Sequence, residues 1–363
     1  MNNKDILKLT GTGREIGRKL GMRFKKNLKE TPNVPVQKDR LRKFTAIIEE
    51  TAPWWLEEVS GMAESADVKP EEILMRNCLP AKPGKYYLGG CTSFLIMGNR
   101  SKNGYPLLLK IRDEKPLFQI AGIKGISGTH RYIFGTNIDN LGIAHFLNEK
   151  GLAGANNTGS PVISGISDLG FNDCHIMRLV AEKAKNCEQA LELIEKWIAK
   201  GYVGNGGYKR GMIFLFADPR KGLVIENTAE KIDYRFVNKG IFIYTNHFLL
   251  GEMKSVIDGK RATEVPSVSS RIRRRRGKEL IGKMKNAKVG IGDLKRISRD
   301  TGNFPYSICN SSDTFPWRTV SAFIHSVDLH KRRSFVSNRA PVDTEYISLS
   351  VNGNVTKGCS PER

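Results

Sequence analysis

Apolar positions recur in two rhythms along this chain, and the rhythm changes near residue 90. Up to about residue 80 the period is helical. Ile16, Leu20, Phe24 and Leu28 recur every four residues and fall on one helix face. Gly17 and Gly21 lie on a neighbouring stripe, where a second element can approach closely. Arg18, Lys19, Arg23, Lys25, Lys26 and Lys29 leave the outer side basic. A second helix is predicted over about Lys38 to Val59, after the proline-containing TPNVP. AKPGKYYLGG, residues 81–90, reads as a loop.

Beyond that loop the texture is that of strands. CTSFLIM (91–97), PLLLKI (106–111), HRYIFGT (130–136) and NLGIAHFLNEKGLAGANN (140–157) are apolar or β-branched runs broken by Gly and Asn. Two helices follow, over roughly 172–184 and 187–199; in the second, Ala190, Leu191, Ile194, Trp197 and Ile198 build one apolar face. MIFLFAD, GLVIEN, KIDYRFV and GIFIYTN predict four more strands between 212 and 246. Residues 268–300 read as helical and basic, and RTVSAFIHSV, RRSFVSN and YISLSVN return to strand. Strands, a helix pair, then strands again point to two sheets layered with helices, not to an alternating parallel βαβ fold.

Composition adds limits. The 363 residues are 39% hydrophobic and 26% charged, an ordinary globular balance that excludes collagen-like and disulfide-scaffold classes. No run approaches the roughly 18 apolar residues that span a bilayer. MNNKDILKLTGTG has no apolar signal core, so a cytoplasmic location with reduced thiols is expected. The outlier is charge: 59 Lys and Arg against 37 Asp and Glu give +22. Such a field attracts anions, whether an acyl donor such as acyl-coenzyme A or nucleic acid. The densest run, RIRRRR at 271–276, reads first as a solvated helix face. Nucleic-acid binding lacks support, because neither a zinc-knuckle spacing, an RNP-like aromatic motif nor a P-loop occurs. The six cysteines form no CxxC pair, which leaves no metal site to expect.

Chemistry concentrates at Gly90-Cys91. A thiol after two glycines at the head of a strand is in reach of the preceding carbonyl. Attack there, followed by hydrolysis, would free Cys91 as a new N-terminus whose α-amine, with a reference pKa of about 7.7–8.0, can serve as base for its own thiol. Asp113, at the end of the next strand in LLLKIRD, is a carboxylate that a hairpin brings near. Lys110 and Arg112 flank it, and the pattern leaves open which cation faces the site. Asn157 and Asn246 are neutral donors for an oxyanion. His247, Cys174, His175 and Cys309 read as structural.

Taken in order, REIGRKLG, GGCTSF, LLLKIRD, FLNEKGLAGANN, MIFLFADPRKGLVIEN, YTNHF, SSRIR and YSICNSSD resemble the acyl-coenzyme A:6-aminopenicillanic acid acyltransferase family. These are autoproteolytic cysteine enzymes among the N-terminal-nucleophile hydrolases, similar in core to choloylglycine hydrolases. The resemblance implies an α+β fold, a four-layer αββα sandwich, and self-cleavage between Gly90 and Cys91. It implies a small chain, 1–90, that stays with a large one, 91–363. It makes Cys91 the nucleophile, Asp113 the holder of its amine, Asn246 the oxyanion donor and Asn157 a second site asparagine. Ser270 and Arg271 look like the family's Ser-Arg pair, and Lys110 and Arg112 join them as substrate-binding candidates. The substrate implied is a small acyl amide or acyl-coenzyme A, with no cofactor, no metal and no membrane. Two departures stand out: Ile111 where the family often has Asn, and Asn227-Thr228 where a site serine is expected. The competing reading is an unprocessed, non-catalytic basic protein that binds an anionic ligand or nucleic acid.

Overall fold

A computed structural model describes residues 6–31, 35–78, 90–115, 119–138, 140–205, 209–284, 287–312 and 317–357. Most of the predicted loop before Cys91, residues 81–89, lies outside the described residues. In chain order the elements are β1 (Ile6–Gly11), α1 (Gly13–Glu30), α2 (Lys38–Thr51), α3 (Pro53–Ala66), α4 (Pro70–Cys78), β2 (Gly90–Ile96) and β3 (Leu107–Glu114). Then come β4 (Gln119–Ile126), β5 (Tyr132–Asn137), β6 (His145–Asn148), β7 (Ala153–Pro161), α5 (Asp173–Lys183) and α6 (Cys187–Ala199). The third stretch holds β8 (Arg210–Ala217), β9 (Gly222–Asn227), β10 (Ile232–Val237), β11 (Ile241–Tyr244), α7 (Val265–Gly282) and α8 (Ile291–Ser298). The last four strands are β12 (Arg318–Ser326), β13 (Arg333–Ser337), β14 (Ile347–Ser350) and β15 (Val355–Lys357).

The strands form two sheets. One runs β1-β4-β5-β6-β7-β8-β9-β10 and the other β11-β2-β3-β12-β13-β14-β15. Alternation along most strands gives the two sheets apolar faces on both sides, and among the described residues three cores result. Leu95, Leu108, Ile133, Leu147, Ile213, Phe323 and Val336 fill the space between the sheets. Tyr132, Phe134, Phe146, Phe214 and Phe216 pack outward against α1 to α6. Phe94, Leu109, Ile111 and Ile324 pack outward against α7 and α8. The order of layers is therefore helices, sheet, sheet, helices, which is the αββα sandwich. Among the described residues no helix is long and apolar enough to cross a membrane.

The N-terminal segment is sewn into this body. Ile16, Leu20, Phe24 and Leu28 are all buried in α1. A Cβ at Gly17 would run into the Glu58 carbonyl oxygen and one at Gly21 into that of Met62, so both glycines are needed for the close α1–α3 approach. Two expectations change. The segment begins with a strand, β1, paired in parallel with β4. The helix predicted to Val59 is broken at Ala52, where Pro53 opens α3. A buried ion network adds a second tie. The Glu58 carboxylate of α3 accepts from Lys124 Nζ at 2.8 Å and from Arg178 Nη2, and Glu182 accepts from the Trp54 and Trp55 indoles at 2.9 Å each.

Candidate active site

The β2–β3 hairpin sets the geometry. Gly90 pairs with Asp113, Cys91 with Arg112 and Ser93 with Lys110. Alternation then divides the hairpin. Cys91 and Ser93 share with Lys110 and Arg112 the face turned to the other sheet, beside Leu95 and Leu108. Gly90, Thr92 and Asp113 take the face turned to α7, beside Phe94, Leu109 and Ile111. The Gly90–Cys91 peptide passes between these two groups.

On the inner face Lys110 is wholly buried. Its ammonium donates to the Asn156 carbonyl and, at 2.8 Å, to Asn157 Oδ1. Asn157 also accepts from Ser93 Oγ at 2.8 Å and donates to the Thr245 carbonyl at 2.9 Å, which locks its amide orientation. Cys91 is 6% exposed. Burial raises its thiol pKa, and the nearby charge of Lys110 acts against that. Arg112 lies on the same face but turns away along it, donating to Gln119 Oε1 at 2.6 Å, Glu114 Oε1 at 2.9 Å and Asn137 Oδ1 at 3.3 Å. Lys110 is thus the cation on the thiol.

On the outer face Asp113 is 2% exposed. It accepts from Thr319 Oγ1 at 2.7 Å. Burial raises its carboxyl to about 6, although the charge of Arg273 and the Thr319 bond act to lower it. Arg273 of α7 crosses directly beneath the peptide. It donates to the Cys91 carbonyl at 2.6 Å, Thr92 Oγ1 at 2.8 Å, Asn246 Oδ1 at 2.7 Å and Ser269 Oγ at 3.2 Å. A Cβ at Gly90 would stand 2.6 Å from Arg273 Nη2 and 3.3 Å from Asp113 Oδ2. A larger residue would have to push the Arg273 guanidinium aside.

Asn246 closes the ring. The Cys91 backbone N–H donates to its Oδ1 at 2.9 Å, and its Nδ2 donates to the Thr158 carbonyl at 2.8 Å. Two donors converge on Oδ1, so in this intact chain Asn246 presents its oxygen, not its amide nitrogen, to Cys91. Its own N–H donates to Ser270 Oγ at 2.7 Å, and Ser270 Oγ also meets His247 Nδ1 at 2.7 Å. His247 is held neutral near pH 7, its pKa pushed down to about 4 by burial and by Arg274, Arg271 and Arg273.

The structure therefore gathers Gly90, Cys91, Lys110, Asp113, Asn157, Asn246 and Ser270 around one peptide bond. Arg271 lies apart: it is exposed and donates to the Ala262 carbonyl at 3.0 Å. Arg273 is the residue that sequence reasoning missed. It sat inside RIRRRR, read as a solvated face. In the fold, Arg273 is buried, Arg274 donates to the Ile243 carbonyl at 3.1 Å, and Arg276 grips Asp300 at 2.7 Å. Helical spacing holds the signal, since Ser269, Ser270, Arg273 and Gly277 share the buried face of α7. Cys174 accepts from Asn156 Nδ2 at 3.5 Å and Cys309 is buried.

Comparison with known proteins gives one family. Residues 119–338, more than half of the 363, match the family model described as acyl-coenzyme A:6-aminopenicillanic acid acyl-transferase. The matched span includes Asn157, Asn246, Ser270 and Arg273 and begins after Cys91 and Asp113. No curated protein matches the sequence. Among solved structures, the Caenorhabditis elegans ortholog of N-acylethanolamine-hydrolyzing acid amidase is similar at 12% identity and a TM-score of 0.43, over 65% of this chain and 93% of its own. A mutant conjugated bile acid hydrolase from Clostridium perfringens is similar at 12% identity and a TM-score of 0.43, over 75% of this chain and 97% of its own. Likeness at that level assigns no activity.

Proposed function

The chain belongs to the acyl-coenzyme A:6-aminopenicillanic acid acyl-transferase family, and from that premise we propose that it cuts itself between Gly90 and Cys91 and then hydrolyses or transfers acyl groups at amide bonds. The observation that carries this reading is the Gly90–Cys91 peptide itself. Its N–H is held by Asn246, the next carbonyl by Arg273, and Asp113 lies 3.3 Å from where a Gly90 Cβ would be.

In the first stage Cys91 Sγ attacks the Gly90 carbonyl carbon. The C–N bond breaks, the thiol proton passes to the departing nitrogen, and a thioester joins Gly90 to Cys91. Water hydrolyses it, leaving a Gly90 carboxylate and a free α-amine and thiol on Cys91. Lys110 favours the thiolate by its charge. In the second stage the amine takes the thiol proton and Asp113 holds the amine. The thiolate attacks the substrate's amide carbonyl and the leaving amine departs with the proton. Water resolves the acyl-thioester in a hydrolase; an acceptor amine does so in a transferase. Asn246 as oxyanion donor requires its Nδ2 to leave the Thr158 carbonyl. After the cut the small chain stays docked through β1 and the Glu58 network.

A panel of chromogenic acyl anilides tests the second stage. Release of aniline, with an acyl adduct on the fragment beginning at Cys91 by mass spectrometry, is expected. Amide turnover that persists in Cys91→Ala would refute the assignment.

A further inference from the structure

The segment that carries Asn246 leaves its sheet at Tyr244 and is held by side chains thereafter. Asn246 N–H donates to Ser270 Oγ at 2.7 Å, and Phe248 N–H to Ser160 Oγ at 2.9 Å. Leu249 N–H and Leu250 N–H donate to the two carboxylate oxygens of one residue, Glu226 of β9, at 2.6 and 3.0 Å. Glu226 is wholly buried. We propose that Glu226 is a positioning residue: by gripping the Leu249 and Leu250 amides it fixes the turn that sets Asn246 against the Cys91 N–H. The inference rests on the Cys91 reading above.

A buried carboxylate facing two backbone N–H groups is costly unless both bonds are made, so the residue is suited to hold a turn rather than to fill space. The groups that face it are Asp233 from β10, Tyr244 from β11 and Arg274 from α7. Asp233 is tied to the Glu252 N–H at 3.1 Å, and Arg274 to the Ile243 carbonyl at 3.1 Å. Burial raises the Glu226 carboxyl to about 7; the two N–H groups and Arg274 oppose that, and Asp233 adds to it. Above that pH the ionised group accepts both bonds with charge assistance. Below it one oxygen carries a proton and the grip weakens. The sign for the whole chain is opposite. A folded-state value above the ordinary 4.5 means that protonation between pH 7 and 4.5 favours the folded state overall. Positioning and bulk stability therefore move in opposite directions with pH.

Glu226→Gln keeps the shape, offers one acceptor and cannot ionise. The full chain made by cell-free translation is followed for self-cleavage from pH 5.5 to 8.5. Amide exchange of residues 249 and 250 is measured on the same proteins. In the wild type, cleavage should rise through about pH 7, and the two amides should become better protected over the same range. In Glu226→Gln the step near pH 7 should vanish, with exchange at pH 8 faster by roughly tenfold or more, as loss of a charge-assisted bond implies. A variant that keeps the step, or protects both amides as the wild type does, overturns the proposal. A wild type that cleaves at no pH contradicts the Cys91 reading instead, and the exchange arm still decides whether Glu226 grips the turn.

Discussion

Replacing Glu58 by Gln tests how the N-terminal segment is held. Glu58 is 2% exposed, and its partners Arg178 and Lys124 are 0% and 5% exposed. Burial would raise the Glu58 carboxyl, but the charges of Arg178 and Lys124 outweigh it and hold the group below its ordinary value of 4.5. Gln keeps the shape and removes the charge. Arg178 retains Glu182 at 2.8 Å, while Lys124 loses the charge of its ion-pair partner and keeps a neutral acceptor and the Phe134 ring at 5.5 Å. Breaking a buried pair in this way costs about 3–5 kcal/mol. Unfolding entropy of about 2.1 cal/mol/K per residue, over 363 residues, is about 0.76 kcal/mol/K, so Tm should fall by about 4–7 °C. The pH dependence carries a sign. A depressed carboxyl contributes stability above its unfolded value and loses it as pH falls through the folded one. The gap between wild type and variant should therefore narrow as pH falls below 4.5. The assay is thermal unfolding by circular dichroism at pH 7.5 and at pH 3.5, with Asp67→Asn, an exposed partner of Lys29, as a control that should not shift. A Tm for Glu58→Gln within about 1 °C of wild type at pH 7.5 would refute the reasoning.

Other outcomes follow from the site and the core. Arg273→Ala removes the donor that fixes the Cys91 carbonyl and Asn246 Oδ1 and should slow self-cleavage by about tenfold or more through lost positioning of the scissile peptide, read as the half-time on a gel. Gly90→Ala puts a methyl 2.6 Å from Arg273 Nη2; the chain should fold, by circular dichroism, yet remain uncut. Asp113→Asn removes the carboxylate proposed to hold the freed Cys91 amine, so turnover of an acyl anilide should fall and its pH profile should shift relative to the wild type. The buried rings of His175 and His325, both pushed down to about 3, stay neutral in the fold. Stability should then be lost as pH falls below 6.5, by about 1.4 kcal/mol per pH unit for each ring, and His325→Gln should lessen that slope in urea midpoints.

How far the sequence discloses this molecule depends on what each feature needs to be seen. Strands such as β8 and β12 are long apolar runs and stand out. β4, QIAGIKGI, was missed because its glycines and lysine interrupt the pattern; the structure shows Gly122 backed onto Leu7 and Lys124 paired with Glu58. β1 is short and earns its place only through β4. Lys110 was visible, but alternation alone could not say that it, and not Arg112, sits on the thiol; Glu114, Gln119 and Asn137 draw Arg112 aside. Arg273 lay hidden in a charge run because composition averages over a helix face that burial separates. Glu226 gave no signal, since its partners are backbone N–H groups on a turn more than twenty residues away.

Self-cleavage before Cys91 is the step on which the proposed activity depends. Intact mass of the wild type beside Cys91→Ala, with N-terminal sequencing of any large fragment, tests it most directly. Two pieces in the wild type, the larger opening Cys91-Thr92-Ser93, and one uncut chain in the variant are predicted. A single chain of 40.6 kDa in both, after long incubation under reducing conditions at pH 8, would contradict it.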